Sequence, residues 1–411
     1  MQNLIENLNA LEKEERLAAL RGLKSLIDSG EIAKPATGRD VNNHIHTTYS
    51  FSPYSPAKAA WTAYMSGLCT TGIVDHDSVS GVREFIEAGE ILDFPITCGF
   101  ELRVTHSTTT LGSRRTNNPD QSGISYLTFH GLPHTQIEAV VEFLKPVGIS
   151  RGERNRKMCK KIAEILQISL DYDAGVLPIS MAGEGGSVTE RHLLCAAAMK
   201  LEKKFGRGGA LVDFLKNIIP VSEKMVLQLS DAENPHFIYD LIGLLKAQLV
   251  EKFYIPANRD ECPDMLEAVK FANSHGIIAT YPYLGDVGES VTGDKKAQTF
   301  EDSFLDKLFE ILHSAGIRAI SYMPSRNTRE QLLHVRSLCD KWGMFQISGE
   351  DINTSRQSFI CMAQRDPMFE NLFDTTWALI SHEKKATENL ENSFPFLDMP
   401  LDKKMAFFLT K

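Results

Sequence analysis

The stretch "NNHIHTTYSFSPYSP", residues 42–56, sets two histidines one residue apart at the end of a short apolar run and then enters Ser, Thr, Tyr and Pro. Side chains on a strand repeat every two residues, so His44 and His46 leave one face together. Reading outward from this point, the same rhythm recurs. Apolar or β-branched runs that end in polar residues follow as "CTTGIVDHD", "ITCGFELRV", "SYLTFHG", "GIIATYPY", "IRAISYMPS" and "GMFQISGEDIN". Helical patterns near 56–66, 80–90, 134–144, 263–274, 301–315 and 327–341 lie around them. Seven strands with intervening helices predict a parallel α/β arrangement, a distorted (β/α)7 TIM-like barrel.

The interval 146–262 drops the rhythm. "RNRKMCKKIAEILQI", "VTERHLLCAAAMKLEKKFG" and "FIYDLIGLLKAQLVEKF" read as helices and predict a helical insertion. Leu4, Leu8, Leu11, Leu20, Leu23 and Ile27 keep helical spacing and predict one or two amphipathic helices. The expected organisation is a helical extension (1–38), a barrel in two parts (39–145 and 263–370), the insertion (146–262) and a C-terminal tail (371–411). The extension offers a surface through which copies of the chain would associate.

Composition narrows the classes of function. A net charge of −9 over 411 residues argues against a surface built to attract long nucleic acid or a membrane. Seven cysteines with no CxxC pair read as reduced thiols, which fits the cytoplasm. The opening "MQNLIENLNALEKEERLAAL" carries Glu and Lys throughout and has no signal-peptide core.

The strand ends carry the chemistry. They present His44 and His46, then Asp75, His76 and Asp77, then Glu101 and Arg103, then His130. Tyr281, Arg326, Asp351 and Asn353 follow at the last three. In parallel barrels these ends form one mouth, and imidazoles with carboxylates are the ligands that divalent ions take. Each motif alone is weak, since an isolated histidine has many structural roles. Their coincidence at successive strand ends is what points to a metal site.

"HIHTTYS", "IVDHDSVSG", "GFELRV" and "GEDIN" resemble, in order, the motifs of the PHP (polymerase and histidinol phosphatase) superfamily of metal-dependent phosphoesterases. The resemblance implies an ion held by His44, His46, Glu101 and Asp351. It implies a second at Glu101 and His130, with Tyr281 of "ATYPY" where the family has a histidine. Phe51 or Ser52 and Asn353 stand where third-site ligands are expected, which leaves His76. The expected cofactor is one firmly bound Mn, Zn or Fe ion with room for a second.

"RGERNRKMCKKIAEIL" followed by "VTERHLLCAAAM" resembles the insertion of the branch that acts on nucleotides and short RNA ends. That likeness makes Arg154, Arg191 and His192 phosphate ligands. Arg103, Arg326, Arg356, Lys295 and Lys296 are further cations near the mouth. His76, with Asp75 or Asp77, would orient water or the leaving group. The expected activity is hydrolysis of a phosphomonoester or phosphodiester in a small phosphorylated substrate such as a nucleotide. The alternatives are a silent module that binds metal or nucleotide, suggested by the replaced ligands, and an amidohydrolase-type barrel, which also opens on His-x-His.

Overall fold

The structure, a computed structural model, describes residues 1–288 and 298–410; Lys295 and Lys296 lie outside the described residues. Helices α1 (Gln2–Asn7) and α2 (Lys13–Asp28) precede strand β1 (Val41–Ile45). Then come α3 (Pro56–Met65), β2 (Thr70–His76), α4 (Val82–Leu92), β3 (Ile96–Thr105) and β4 (Ile124–His130). The insertion holds α5 (Ile137–Leu166), α6 (Glu190–Phe205), α7 (Gly209–Lys216), α8 (Glu223–Ser230) and α9 (Phe237–Phe253). The chain returns through α10 (Met265–Ser274), β5 (Ile278–Pro282), α11 (Leu305–Ser314), β6 (Ala319–Tyr322), α12 (Arg329–Trp342) and β7 (Phe345–Ser348). It ends with α13 (Glu370–Glu388) and α14 (Leu401–Leu409).

The seven strands form one sheet in the order β1 to β7. At the end of β1 and past the end of β7, His46 N donates to Ile352 O (3.0 Å) and Ile352 N to His44 O (3.1 Å), which nearly closes the barrel. One strand departs from the parallel reading. β4 runs antiparallel to both β3 and β5. Parallel neighbours need a crossover, usually a helix, and the 106–123 connection contains none. The chain therefore turns back on itself.

Local chemistry sets the helix ends. Ser55 Oγ accepts from Lys58 N (3.0 Å) and Pro56 fills the first turn, so α3 starts immediately after the SFSP segment. Thr328 and Gln331 form a capping box on α12, which Gly343 closes at φ 59°. α5 breaks a sequence rule: the helix expected over 134–144 continues to Leu166 through Pro146, across the expected 145/146 junction. An interior proline costs about 3 kcal/mol or more. Burial on both sides keeps the helix continuous through it, with Leu144 and Val147 in the barrel core and Met158, Cys159 and Ile162 in the insertion core.

The extension is bound to the barrel. Leu8, Leu20, Leu23 and Ile27 are buried in the main core, while Leu11 is exposed. Arg16 is buried and grips Glu84 with two bonds, Nε to Oε1 (2.9 Å) and Nη2 to Oε2 (2.5 Å). Leu8, Leu20, Leu23 and Ile27 are thus covered within the chain. The C-terminal segment expected as a tail from 371 carries most of α13, and all of α14, among its described residues. α13 reaches the strands through Thr376, whose Oγ1 accepts from Asn43 Nδ2 (2.8 Å), and Glu383, whose Oε2 accepts from Cys98 N (2.7 Å). Among the described residues no helix is long and apolar enough to cross a membrane.

Candidate metal centre

His44, His46 and Glu101 each offer a ligand atom, and the three atoms lie within 4.8 Å of one another. His44 Nε2 and His46 Nε2 stand 3.1 Å apart. Two imidazole nitrogens that share one ion stand about 3 Å apart, so the pair fits a common ligand position. Asp351 Oδ1 is 3.3 Å from His46 Nε2, and Glu101 Oε2 is 2.7 Å from His76 Nδ1. β1, β2 and β3 and the turn after β7 supply these groups side by side. That is why residues 300 apart in sequence converge.

Burial and charge prepare the donors. Burial pushes His44 below its ordinary range, only partly offset by Glu101. Burial, helped by the neighbouring His46 charge, holds His76 well below it. Both rings are therefore neutral donors. At His46, burial acts downward, but the hydrogen bond and charge of Asp351 outweigh it and raise the ring. At Asp351, burial acts upward, but the same partner holds the carboxyl well below its usual range. Burial raises Glu101, and the adjacent histidines counter part of that rise.

The tautomer of His46 is set from behind. Thr47 N and Thr47 Oγ1 donate to Asp75 (2.7 and 2.6 Å), and Ser50 Oγ donates to Asp75 Oδ1 (2.6 Å). With its hydrogen committed, Ser50 Oγ accepts from His46 Nδ1 (3.2 Å). An ion that displaces the proton shared with Asp351 would then meet the Nε2 lone pair facing the cluster. Asp75, expected to orient water, points away from the cavity and positions His46. Asp75→Asn is expected to weaken metal binding about 10- to 100-fold with the fold intact, as outer partners of ligating histidines do. A chelator-competition titration beside a circular dichroism spectrum checks it.

The other expected site residues divide sharply. Asn353 and Arg191 line the cavity above the cluster: Arg191 Nη1 donates to Asn353 Oδ1 (2.8 Å), and Asn353 Nδ2 to Asp351 Oδ1 (2.7 Å). Arg326 also lines it, with Nε donating to Leu284 O (3.1 Å). Asp77 is engaged by Arg151 Nη1 (2.5 Å). Arg103 and Arg154 bond Glu261 and Glu190 instead of facing open space. His192 caps α6, its Nδ1 accepting from Thr189 N (3.0 Å). Arg356 clasps Asp240.

Tyr281 is not brought to the cluster, whereas His130 sits beneath it, near enough to His44 for the two rings to interact electrostatically. His130 is opposite Gly99 while Thr128 is opposite Glu101, so the antiparallel strand carries His130 below the cluster. It is buried and its Nε2 has no hydrogen-bond partner among the described residues; burial pushes it down to about 3. Tyr281 OH accepts from Asn117 N (3.2 Å), and burial with the nearby Glu301 charge keeps it a neutral phenol.

Sequence reasoning passed over three cavity residues. Tyr126 stands at the mouth where a parallel β4 would have put His130, its ring 5.7 Å from that of His76. Arg151 and Glu190 line the insertion side. Phe51 explains the SFSP oddity. It adopts φ 100°, a costly conformation for a non-glycine residue, and lies in the insertion core 4.9 Å from the His192 ring. Where a ligand was expected, the chain has a hydrophobic tie between the His-x-His loop and the insertion. The cavity enclosed by these walls is about 300 Å³.

No protein-family model and no curated protein matches the chain. Solved structures do. One is a "putative metal-dependent phosphoesterase" from Bifidobacterium adolescentis, 17% identical, with TM-score 0.51 over 78% of this chain and 89% of that one. Another is an amidohydrolase from Chromobacterium violaceum, solved with bound sulfate and no metal. It is 16% identical, with TM-score 0.50 over 77% of this chain and 88% of that one. At these identities the likeness bears on the fold.

Proposed function

We propose that the chain is a metal-dependent phosphoester hydrolase acting on a small phosphorylated substrate such as a nucleotide. The observation that carries this reading is the convergence of His44, His46 and Glu101, with Asp351 and His76 against them, on the floor of one cavity. Three imidazoles and two carboxylates suit Mn, Zn or Fe. A bound ion supplies Lewis acidity toward a phosphoryl oxygen and toward water.

The chain's own groups do the rest. His44 and His46 hold Nε2 toward the cluster, the second fixed by Ser50 and Asp75. His76 Nδ1 and Glu101 Oε2 stand 2.7 Å apart beside the cavity, where the pair is placed to orient a water or a leaving group. Arg191 and Arg326 offer guanidinium edges to phosphate oxygens. Phe51, Tyr126 and Tyr283 form aromatic walls suited to a planar base. With Tyr281 bonded elsewhere, one complete set of ligands supports one firmly held ion, and the unpartnered Nε2 of His130 beside His44 leaves a donor for a second. Both neighbours' descriptions agree with a hydrolase, and the sulfate in one is a phosphate-shaped anion.

Purified protein is expected to carry metal and, with added Mn²⁺, to hydrolyse nucleotide phosphoesters. Bound metal without turnover of any phosphomonoester or phosphodiester would reject the reading. Cleavage confined to C–N substrates would move the chain to the amidohydrolase reading that the second neighbour suggests.

A further inference from the structure

We propose that Cys98, His134 and Glu383 form a second metal site, for a zinc-type ion, separate from the cavity. Their ligand atoms lie within 4.8 Å of one another. Cys98 precedes Glu101 by three residues on β3, so the two side chains leave opposite faces of the strand, about 10 Å apart along it. His134 follows β4, and Glu383 comes from α13. The site therefore fastens the C-terminal helix to the barrel.

The donors are already assembled. Glu383 Oε2 accepts from Cys98 N (2.7 Å), and its Oε1 accepts from His134 Nε2 (2.9 Å). His134 N is tied to Thr387 Oγ1 (2.9 Å), which holds the ring against α13. Thiolate, imidazole and carboxylate are each zinc ligands, and three protein ligands leave a fourth position for water. Two anionic donors neutralise a dication, so the occupied site carries no net buried charge. Entry is open from one side: the His134 side chain is 35% exposed, while Cys98 and Glu383 are buried. Burial of Cys98 speaks against the other chemistry of such a trio, nucleophilic attack on a substrate, and ion binding needs no space for one. On binding, the S–H bond of Cys98 breaks and its proton goes to solvent. The ring proton of His134 moves from Nε2 to the exposed Nδ1 edge.

Cobalt(II) titration tests this, because a thiolate–cobalt charge-transfer band in the near ultraviolet reports sulfur ligation and the cavity cluster has no sulfur ligand. Apoprotein with Co²⁺ is expected to show the band. The double variant His44→Ala/His46→Ala should retain it, Cys98→Ser should lose it, and His134→Ala, at the half-exposed ligand, should weaken it at least tenfold in Co²⁺ affinity. No band in the unaltered protein, or a band that survives Cys98→Ser, overturns the proposal. Loss in the double variant does so too. Because the readout follows sulfur alone, it stands whether or not the cavity cluster binds metal or turns over substrate.

Discussion

Glu101→Gln is expected to lower metal-dependent hydrolysis by more than about 100-fold and to strip metal from the cavity, while the fold persists. Groups that only orient metal ligands already cost about 10- to 100-fold when removed. Glu101 sits closer to the chemistry than any of them. Its Oε2 is 2.7 Å from His76 Nδ1 and 3.9 Å from His46 Nε2, and it completes the donor group with His44 and His46. Glutamine keeps the shape and one acceptor but loses the negative charge that a dication and the neighbouring histidines face. The buried carboxylate is held against desolvation by the histidines around it, so the neutral amide does not unfold the strand. Metal content by elemental analysis and initial rates with Mn²⁺ check both halves. A variant that keeps its metal and more than a tenth of its activity would place the reactive centre elsewhere.

The seven strands were legible because each is a short apolar run closed by polar residues, and local pattern carries that information. His44, His46, Glu101 and Asp351 were legible for the same reason: they stand at strand ends that a barrel gathers. Strand direction was available and went unused. Between Arg103 and Ser125 no helical pattern appears, and a strand without a crossover helix turns back. That one reversal moves His130 down and brings Tyr126 to the mouth. Other contacts had no sequence signal at all. Arg103 and Arg154 look like phosphate ligands until the fold supplies Glu190 and Glu261 from elsewhere in the chain. The continuity of α5 through Pro146 is likewise decided by packing on both sides, which outweighs the local rule. Asp75 shows the intermediate case: its motif marked it as important, but only the geometry shows it acting through Ser50 on His46.

Glu261→Ala is expected to destabilise the protein by about 3–5 kcal/mol, the scale for removing one partner of a buried ion pair. Glu261 is 1% exposed and meets three guanidiniums. Arg154 reaches it through Nε (2.6 Å) and Nη2 (2.7 Å), Arg151 through Nε (3.2 Å), and Arg103 through Nη2. With Glu190 and Asp77 the cluster balances three cations against three carboxylates. Deleting Glu261 leaves one buried positive charge without a partner, at the seam where α5 crosses from barrel to insertion. Urea unfolding is expected to show a lower midpoint, and Glu261→Gln to fall between the variant and the original, since the amide keeps an acceptor but not the charge. Added sulfate should recover more stability in the alanine variant than in the unaltered chain, because the emptied position is an anion site lined by arginines. If Arg103 and Arg154 instead serve the substrate and are only incidentally near Glu261, the alanine variant would keep its stability and change its KM. Unfolding and kinetics on one protein preparation therefore separate a structural lock from a phosphate clamp.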